Sequence, residues 1–267
     1  MRHSGSSAWR PRLVALDIDG TLVDRNGLLP PTVAGAVELI LQAGVPVVLS
    51  TGRSWHGTRP LFDELGLPPG PTVCSNGAVV VRYPPEEIIK AITFDPRPVI
   101  TQVESFAPGT LIAVEEIGRG YRLNDRFPGD DLTGELIIED AEQLSSRPVT
   151  RVILRDPTRS DEEFVALARH LGMHGVTYFI GWGTWLDIAP DGVNKATALA
   201  EVAAGFGVSA ADVLAFGDGR NDIEMLRWAG RGVAMGDAPD EVKAAADDIT
   251  KSIDDGGPAA ELRHWFG

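Results

Sequence analysis

The chain has 267 residues, 43% of them hydrophobic, and a formal net charge of −14. That length and apolar fraction allow one large domain or two modest ones with a full core, while the negative charge has the wrong sign for general nucleic-acid binding, which needs a basic face. No run of about 18 apolar residues occurs, so no membrane span is expected, and a single cysteine, Cys74, rules out an internal disulfide.

The first dozen residues, MRHSGSSAWRPR, are basic and polar without an apolar stretch, and read as a frayed tail rather than a secretion signal. With one cysteine and no export signal, a cytoplasmic location is the default expectation. Leu13–Asp17 is a short apolar run followed by Gly20. Residues 32–43 carry helical spacing at Val33, Val37, Ile40 and Leu41, and Gly44 ends the segment. Val45–Ser50 reads as a second strand, Ser54–Leu65 as a helix and Pro71–Ser75 as a third strand. Cys74, at the end of that apolar run, reads as a small buried hydrophobe. The alternation is that of a parallel, doubly wound α/β sheet.

From about Arg82 to Trp185 the character changes. Strands are expected at Ile88–Phe94, Leu111–Val114, Glu135–Ile138, Val149–Leu154 and Thr177–Ile180, with a helix at Asp161–Leu171. The first pattern then resumes, with helices at Val193–Phe206, Asn221–Trp228 and Pro239–Ala246 and strands at Val213–Phe216 and Gly232–Met235. The expected organisation is a core made of residues 1–81 and 187–267, with 1–12 flexible, interrupted by an α+β insert at 82–186.

Three apolar strands end in reactive groups: LVALD at Asp17, PVVLST at Thr51 and VLAFGD at Asp218. Open parallel sheets build their sites beyond the carboxyl ends of the strands, so two carboxylates and a hydroxyl should meet at one edge. In DIDGTL, Asp17 and Asp19 stand two residues apart, on one side of an extended chain, and their repulsion calls for a cation or a shared proton. A calcium loop would continue with further oxygen ligands, whereas Leu22 and Val23 follow here. STGR at 50–53 fits either an anion cradle of hydroxyl and backbone N–H groups or a plain helix cap. Lys195, near a helix start, reads by itself as a solvated surface lysine. In GDGRND, Asp218 and Asp222 bracket a Gly-rich turn, and carboxylates of this kind suit magnesium better than zinc.

In order and spacing, DIDGTL, STGR, Lys195 and GDGRND resemble the haloacid dehalogenase superfamily. CSNGA at 74–78, GVNKATAL at 192–199 and VAMGDAPDEVKAAAD at 233–247 look like its Cof-type phosphatases, whose inserted cap is of the C2B type. The resemblance implies a magnesium-dependent phosphatase working through an aspartyl-phosphate. Asp17 would be the nucleophile and Asp19 the acid and base, buried under the closed cap with a raised pKa. Mg2+ would be held by Asp17, the Asp19 carbonyl and Asp218, with Asp222 supporting the metal shell or Lys195. Thr51 and Lys195 would hold phosphate oxygens with the N–H groups of Gly52 and of the Asp19–Gly20 turn. Arg53, Asn76 and Asn221 would be secondary contacts. Ala196 and Asp237 depart from the family's usual glycine and asparagine.

The implied partner is a small phosphorylated metabolite, a sugar phosphate or a phosphorylated cofactor such as pyridoxal phosphate or flavin mononucleotide, acted on by a monomer or homodimer. Arg119, Tyr121, Arg122, Tyr178, Trp182 and Trp185 either line its pocket or, for Tyr178 and the tryptophans, pack the cap core. Two other readings remain: a phosphosugar mutase of the same superfamily, and a phospho-accepting receiver-like domain, although such domains are about half this length and lack a cap.

Overall fold

The structure, a computed structural model, describes residues 9–129, 132–160, 162, 176–181 and 185–267. In chain order the first arm contains β1 (Leu13–Leu16), α1 (Pro31–Gln42), β2 (Val47–Leu49), α2 (Trp55–Glu64), β3 (Gly70–Cys74), β4 (Val79–Tyr83) and β5 (Glu87–Ala91). The middle contributes α3 (Arg97–Phe106), β6 (Leu111–Glu116), β7 (Gly120–Leu123), β8 (Glu135–Ile138), α4 (Ala141–Leu144), β9 (Val152–Arg155), β10 (Val176–Gly181) and β11 (Trp185–Pro190). The last arm contains α5 (Lys195–Gly205), β12 (Val213–Gly217), α6 (Ile223–Trp228), β13 (Arg231–Ala234), α7 (Asp240–Lys243), β14 (Asp248–Ile249) and α8 (Gly257–Phe266).

Both arms build one five-stranded sheet of order β14-β13-β12-β1-β2, and every pairing in it is parallel. All four residues of β1 and all five of β12 are buried. That continuous apolar pattern is what a sheet covered on both faces requires. One large cluster unites Leu16 and Leu49 with Ile40 of α1, Leu199 of α5, Phe216 and Leu262 of α8. β3 continues this sheet through a parallel bridge between Ser50 and Val73, and forms an antiparallel sheet with β4 and β5. The expected 81/82 boundary therefore falls inside β4.

The intervening segment forms a mixed six-stranded sheet of order β10-β11-β9-β6-β7-β8, in which only β7 and β8 pair in parallel. Its own core sets Val99, Ile100 and Val103 of α3 against Ile112, Leu154 and Ile188. α3 was not anticipated: its apolar spacing is helical, but Pro96, Pro98 and a β-branched run mask it. β4, β7, β11 and α8 were also unforeseen, and the strand expected at Val149–Leu154 starts only at Val152. The helix expected at 161–171 lies outside the described residues except for residue 162. Residues 9–12, expected in the flexible tail, are instead anchored: Trp9 Nε1 donates to the Ala211 carbonyl at 2.8 Å, and its ring meets Trp265 edge-on.

The turn after β3 is left-handed, with φ of 51° at Ser75, 53° at Asn76 and 99° at Gly77. A Cβ on Gly77 would collide with the Asn194 carbonyl oxygen, directly before α5. Gly77→Ala is therefore expected to destabilise the fold by more than about 1 kcal/mol. Gly35→Ala, in α1 with open space around it, should gain roughly 0.5–1 kcal/mol. Urea denaturation of both variants checks the pair.

Candidate active site

β1 ends at a turn closed on the Ile18 carbonyl, which accepts from the N–H groups of Thr21, Leu22 and Val23 at 3.2, 2.8 and 3.0 Å. Asp17 is delivered buried at the strand end. Gly20 has a φ of 80°, and a Cβ there would collide with the Asp218 carboxylate, so only glycine lets the β1 and β12 turns touch. α5 starts with Asn194 as its cap: the Asn194 side chain accepts from Thr197 N–H at 3.0 Å, and the Thr197 hydroxyl accepts from Asn194 N–H at 3.1 Å. This capping box places Lys195 at the first helical position, where it is fully buried. The solvated surface lysine that its sequence position suggested is thus not observed.

Lys195 Nζ donates at 2.6 Å to Asp17 Oδ1 and at 2.6 Å to Asp222 Oδ1. The other Asp222 oxygen accepts the N–H groups of Asp218 and Gly219 at 3.0 and 2.9 Å, shaping the turn that presents Asp218. Asp17, Asp218 and Asp222 each bring one carboxylate oxygen within 4.8 Å of the others. Burial and then the Asp222 charge push Asp17 up to about 7, against the pull of Lys195. Burial, Asp17 and Asp222 push Asp218 up to about 9, with the exposed Asp237 adding a lesser share. Lys195 keeps a raised pKa although burial opposes its charge, because Asp17 and Asp222 flank it. With Asp17 and Asp218 both raised, ionising all three carboxylates beside the one ammonium would leave a formal charge of −2, which calls for added positive charge. An all-oxygen set with that deficit fits a hard divalent cation. Asp222, with both oxygens already engaged, is the least available of the three.

Asp19 departs from expectation. Its side chain is 61% exposed, and it pairs with Arg53 through Nε at 2.9 Å and Nη2 at 2.6 Å. The turn at Gly20 swings it away from the buried carboxylates, and the guanidinium fork captures it at the mouth of the cavity. Thr51 is fully buried at the end of β2, and its Oγ1 accepts Arg53 N–H at 3.0 Å. Asn76 Oδ1 accepts from Asn221 Nδ2 at 2.9 Å, and Gly52 packs beside both amides. Every residue expected at the site thus lies around one edge of the parallel sheet. Cys74 is buried, and burial pushes its thiol up to about 12, as suits an inert core residue.

A cavity of about 580 Å³ opens over this edge. Asp17, Asp19, Arg53, Asp218 and Asn221 line it from the parallel sheet, and Tyr121, Arg151, Arg155, Trp185 and Asp187 from the six-stranded sheet. Of the expected pocket residues, Tyr121 and Trp185 are there. Arg122 is instead buried between Glu116 and Glu139 at 2.5 and 2.9 Å, and exposed Arg119 faces Glu135 at 3.4 Å. Trp182 and the Tyr178 side chain lie outside the described residues. Arg151, Arg155 and Asp187 were missed. Arg151 directly precedes β9, Arg155 ends it and Asp187 lies inside β11, and only the antiparallel pairing of these two unremarkable strands sets them together.

A model of the haloacid dehalogenase-like hydrolases matches residues 14–262. Pyridoxal phosphate phosphatase YbhA of Escherichia coli is 32% identical, over 91% of this chain and 96% of its own. The 5-amino-6-(5-phospho-D-ribitylamino)uracil phosphatase YitU of Bacillus subtilis is 29% identical, over 96% of this chain and 98% of its own. Among solved structures, the subclass IIB sugar phosphatase BT4131 superposes with a TM-score of 0.81 at 24% identity, covering 95% of this chain and 98% of that one, which supports the shared α/β fold. Among the described residues no helix is long and apolar enough to cross a membrane. With a match spanning nearly its whole length, the chain belongs to the family of haloacid dehalogenase-like hydrolases.

Proposed function

We propose that the protein is a magnesium-dependent phosphatase that hydrolyses a small phosphorylated metabolite through a phosphoryl group carried on Asp17. The observation that carries this reading is the Lys195 ammonium buried between Asp17 and Asp222, beside Asp218, on the wall of the cavity. Mg2+ would be held by the carboxylates of Asp17 and Asp218 and the Asp19 main-chain carbonyl, and would supply positive charge against the phosphate dianion.

Lys195 fixes Asp17 Oδ1, while Oδ2 makes no hydrogen bond among the described residues and is the oxygen for in-line attack on phosphorus. The bond to the ester oxygen breaks as that oxygen takes a proton from Asp19, which must first leave its Arg53 ion pair and be protonated from solvent. Asp19 then takes a proton from a water, which attacks the acylphosphate and releases inorganic phosphate and free Asp17. The Arg53 fork sets where the Asp19 carboxyl stands at the cavity mouth. The Thr51 hydroxyl, Lys195 and the Gly52 N–H hold the transferring oxygens, with Asn76 and Asn221 bracing the turns behind them. The six-stranded sheet acts as the cap, closing the cavity against stray water.

For the substrate, Trp185 carries Arg155 over its face at 5.8 Å and Phe127 edge-on at 6.0 Å, a rigid surface for a flat leaving group. This agrees with the heteroaromatic substrates in the names of YbhA and YitU. A phosphosugar mutase would return an isomer without free phosphate, so phosphate release separates the two readings.

Three outcomes are expected. Asp17→Asn, a near-isostere, should stay folded yet lose aryl phosphate hydrolysis by roughly a thousandfold or more. Chelation should abolish wild-type turnover and Mg2+ restore it, and a variant with substantial residual turnover would refute the assignment. Secondly, both raised pKa values exceed the ordinary carboxylate 3.8. In the metal-free chain these groups therefore stabilise the fold at low pH, and that contribution is lost as pH rises through about 7 and about 9. Mg2+ competes with those protons, so the Tm increase that it causes should grow across the same window, read by differential scanning fluorimetry. Thirdly, Trp185→Ala should raise KM for heteroaromatic phosphates roughly 3- to 10-fold with little change in kcat, measured by steady-state phosphate release.

A further inference from the structure

Beneath the cavity, where the six-stranded sheet meets the parallel one, lies a knot of charge that hydrolysis as described does not use. Arg151, directly before β9, is buried, and so is Glu115 on β6. Their closest approach, Arg151 Nε to Glu115 Oε2, is only 3.9 Å, and Arg151 Nε to Asp187 Oδ1 is 3.6 Å. If the pair served charge balance alone, its hydrogen bonds would close on each other. They reach across the boundary instead. Arg151 Nη1 donates to the Gly52 carbonyl and Nη2 to the Tyr121 hydroxyl. Glu115 accepts from Ser75 Oγ at 2.8 Å and from Thr150 Oγ1 at 3.0 Å.

The Gly52 carbonyl is one end of a planar peptide unit whose other end is the Arg53 N–H. That N–H donates to Thr51 Oγ1. A hydroxyl that accepts along one direction has its own proton left to donate elsewhere. A guanidinium on the Gly52 oxygen thus fixes the plane of the peptide that orients the Thr51 hydroxyl. Ser75 receives the second tie, in the left-handed turn that packs against the residue before Lys195.

We propose that Arg151 is a positioning residue, which from the six-stranded sheet sets the Thr51–Gly52–Arg53 turn that receives the phosphoryl oxygens. This rests on the phosphatase reading above. It makes the cap a part of the phosphate site as well as a selector of leaving groups. Because the turn holds what all substrates share, the effect of losing Arg151 is independent of the leaving group.

The test compares Arg151→Met, Arg151→Gln and Arg151→Lys with the wild type in Mg2+. It measures kcat/KM on an aryl phosphate and on pyridoxal phosphate, the Ki of inorganic phosphate, and Tm. Met and Gln are expected to lower kcat/KM on both substrates by the same factor, on the order of tenfold to a hundredfold, and to raise the phosphate Ki in parallel. Lys, which keeps a donor and the charge but not the fork, should recover part of both. If Met does not fold, Gln and Lys carry the same reading. A loss confined to pyridoxal phosphate with unchanged phosphate Ki would place Arg151 on the leaving group and overturn the proposal. A lowered Tm with unchanged Ki would reduce it to packing and overturn it equally. A wild type that releases no phosphate from either substrate sinks the phosphatase reading itself, whereas an active wild type with unchanged variants sinks only the role of Arg151.

Discussion

A lysine ammonium with no solvent exposure lies between two carboxylates, one 178 residues away in sequence and the other 27. Desolvating one such charge costs several kcal/mol, and removing either partner would leave part of that cost uncompensated. The site therefore exists only when β1, the start of α5 and the turn after β12 are in register together. Much of the surrounding sequence serves that register. Asn194 caps α5 so that Lys195 is its first residue, Gly77 lets the preceding turn close on it, and Gly20 lets the β1 turn meet Asp218.

The same burial gives the site its chemistry. Lys195 offsets Asp17 and Asp222, but Asp218 has no ion pair among the described residues, and its carboxyl is pushed up further than that of Asp17, to about 9. Carboxylates that cannot all ionise in this recess without added positive charge are ones that a divalent cation would complete without reorganising the protein. Asp222 has a different part, since its three hydrogen bonds are spent on Lys195 and on two N–H groups of its own turn. Asp19 stands apart, on the solvent side and paired with Arg53. The two carboxylates of DIDGTL thus occupy opposite environments although one residue separates them.

The six-stranded sheet adds no acid to this cluster, yet Tyr121, Arg151, Arg155, Trp185 and Asp187 put it into the cavity wall. Its arginines show how position divides one residue type into different tasks. Arg122 is buried between Glu116 and Glu139 and knits β7 to α4 through the Gln143 carbonyl. Arg151 crosses to the other sheet, and Arg155 lies over Trp185.

The sequence by itself determined the parallel core and the edge where the site would form. Buried runs such as LVAL and VLAFG have the length and composition of strands covered on both faces, and each hands its chain to a polar group at its carboxyl end. Local pattern carries that much because periodicity and turn residues are local properties. It also carried Asp17, Thr51 and Asp218 to one edge of the sheet, whereas Lys195 joined them only through the resemblance to the haloacid dehalogenase superfamily. Only the tertiary structure decided the rest. That Lys195 is buried, that Asp19 is exposed on Arg53, and that Arg151, Arg155 and Asp187 face the cavity all depend on pairs distant in sequence. Arg53 meets Asp19 across 34 residues, and Arg151 reaches Gly52 across 99. No periodicity or composition marks a residue for a partner so far away, because the contact is created by how sheets and turns stack, and the same arginine in the same strand pattern could as well have pointed to water.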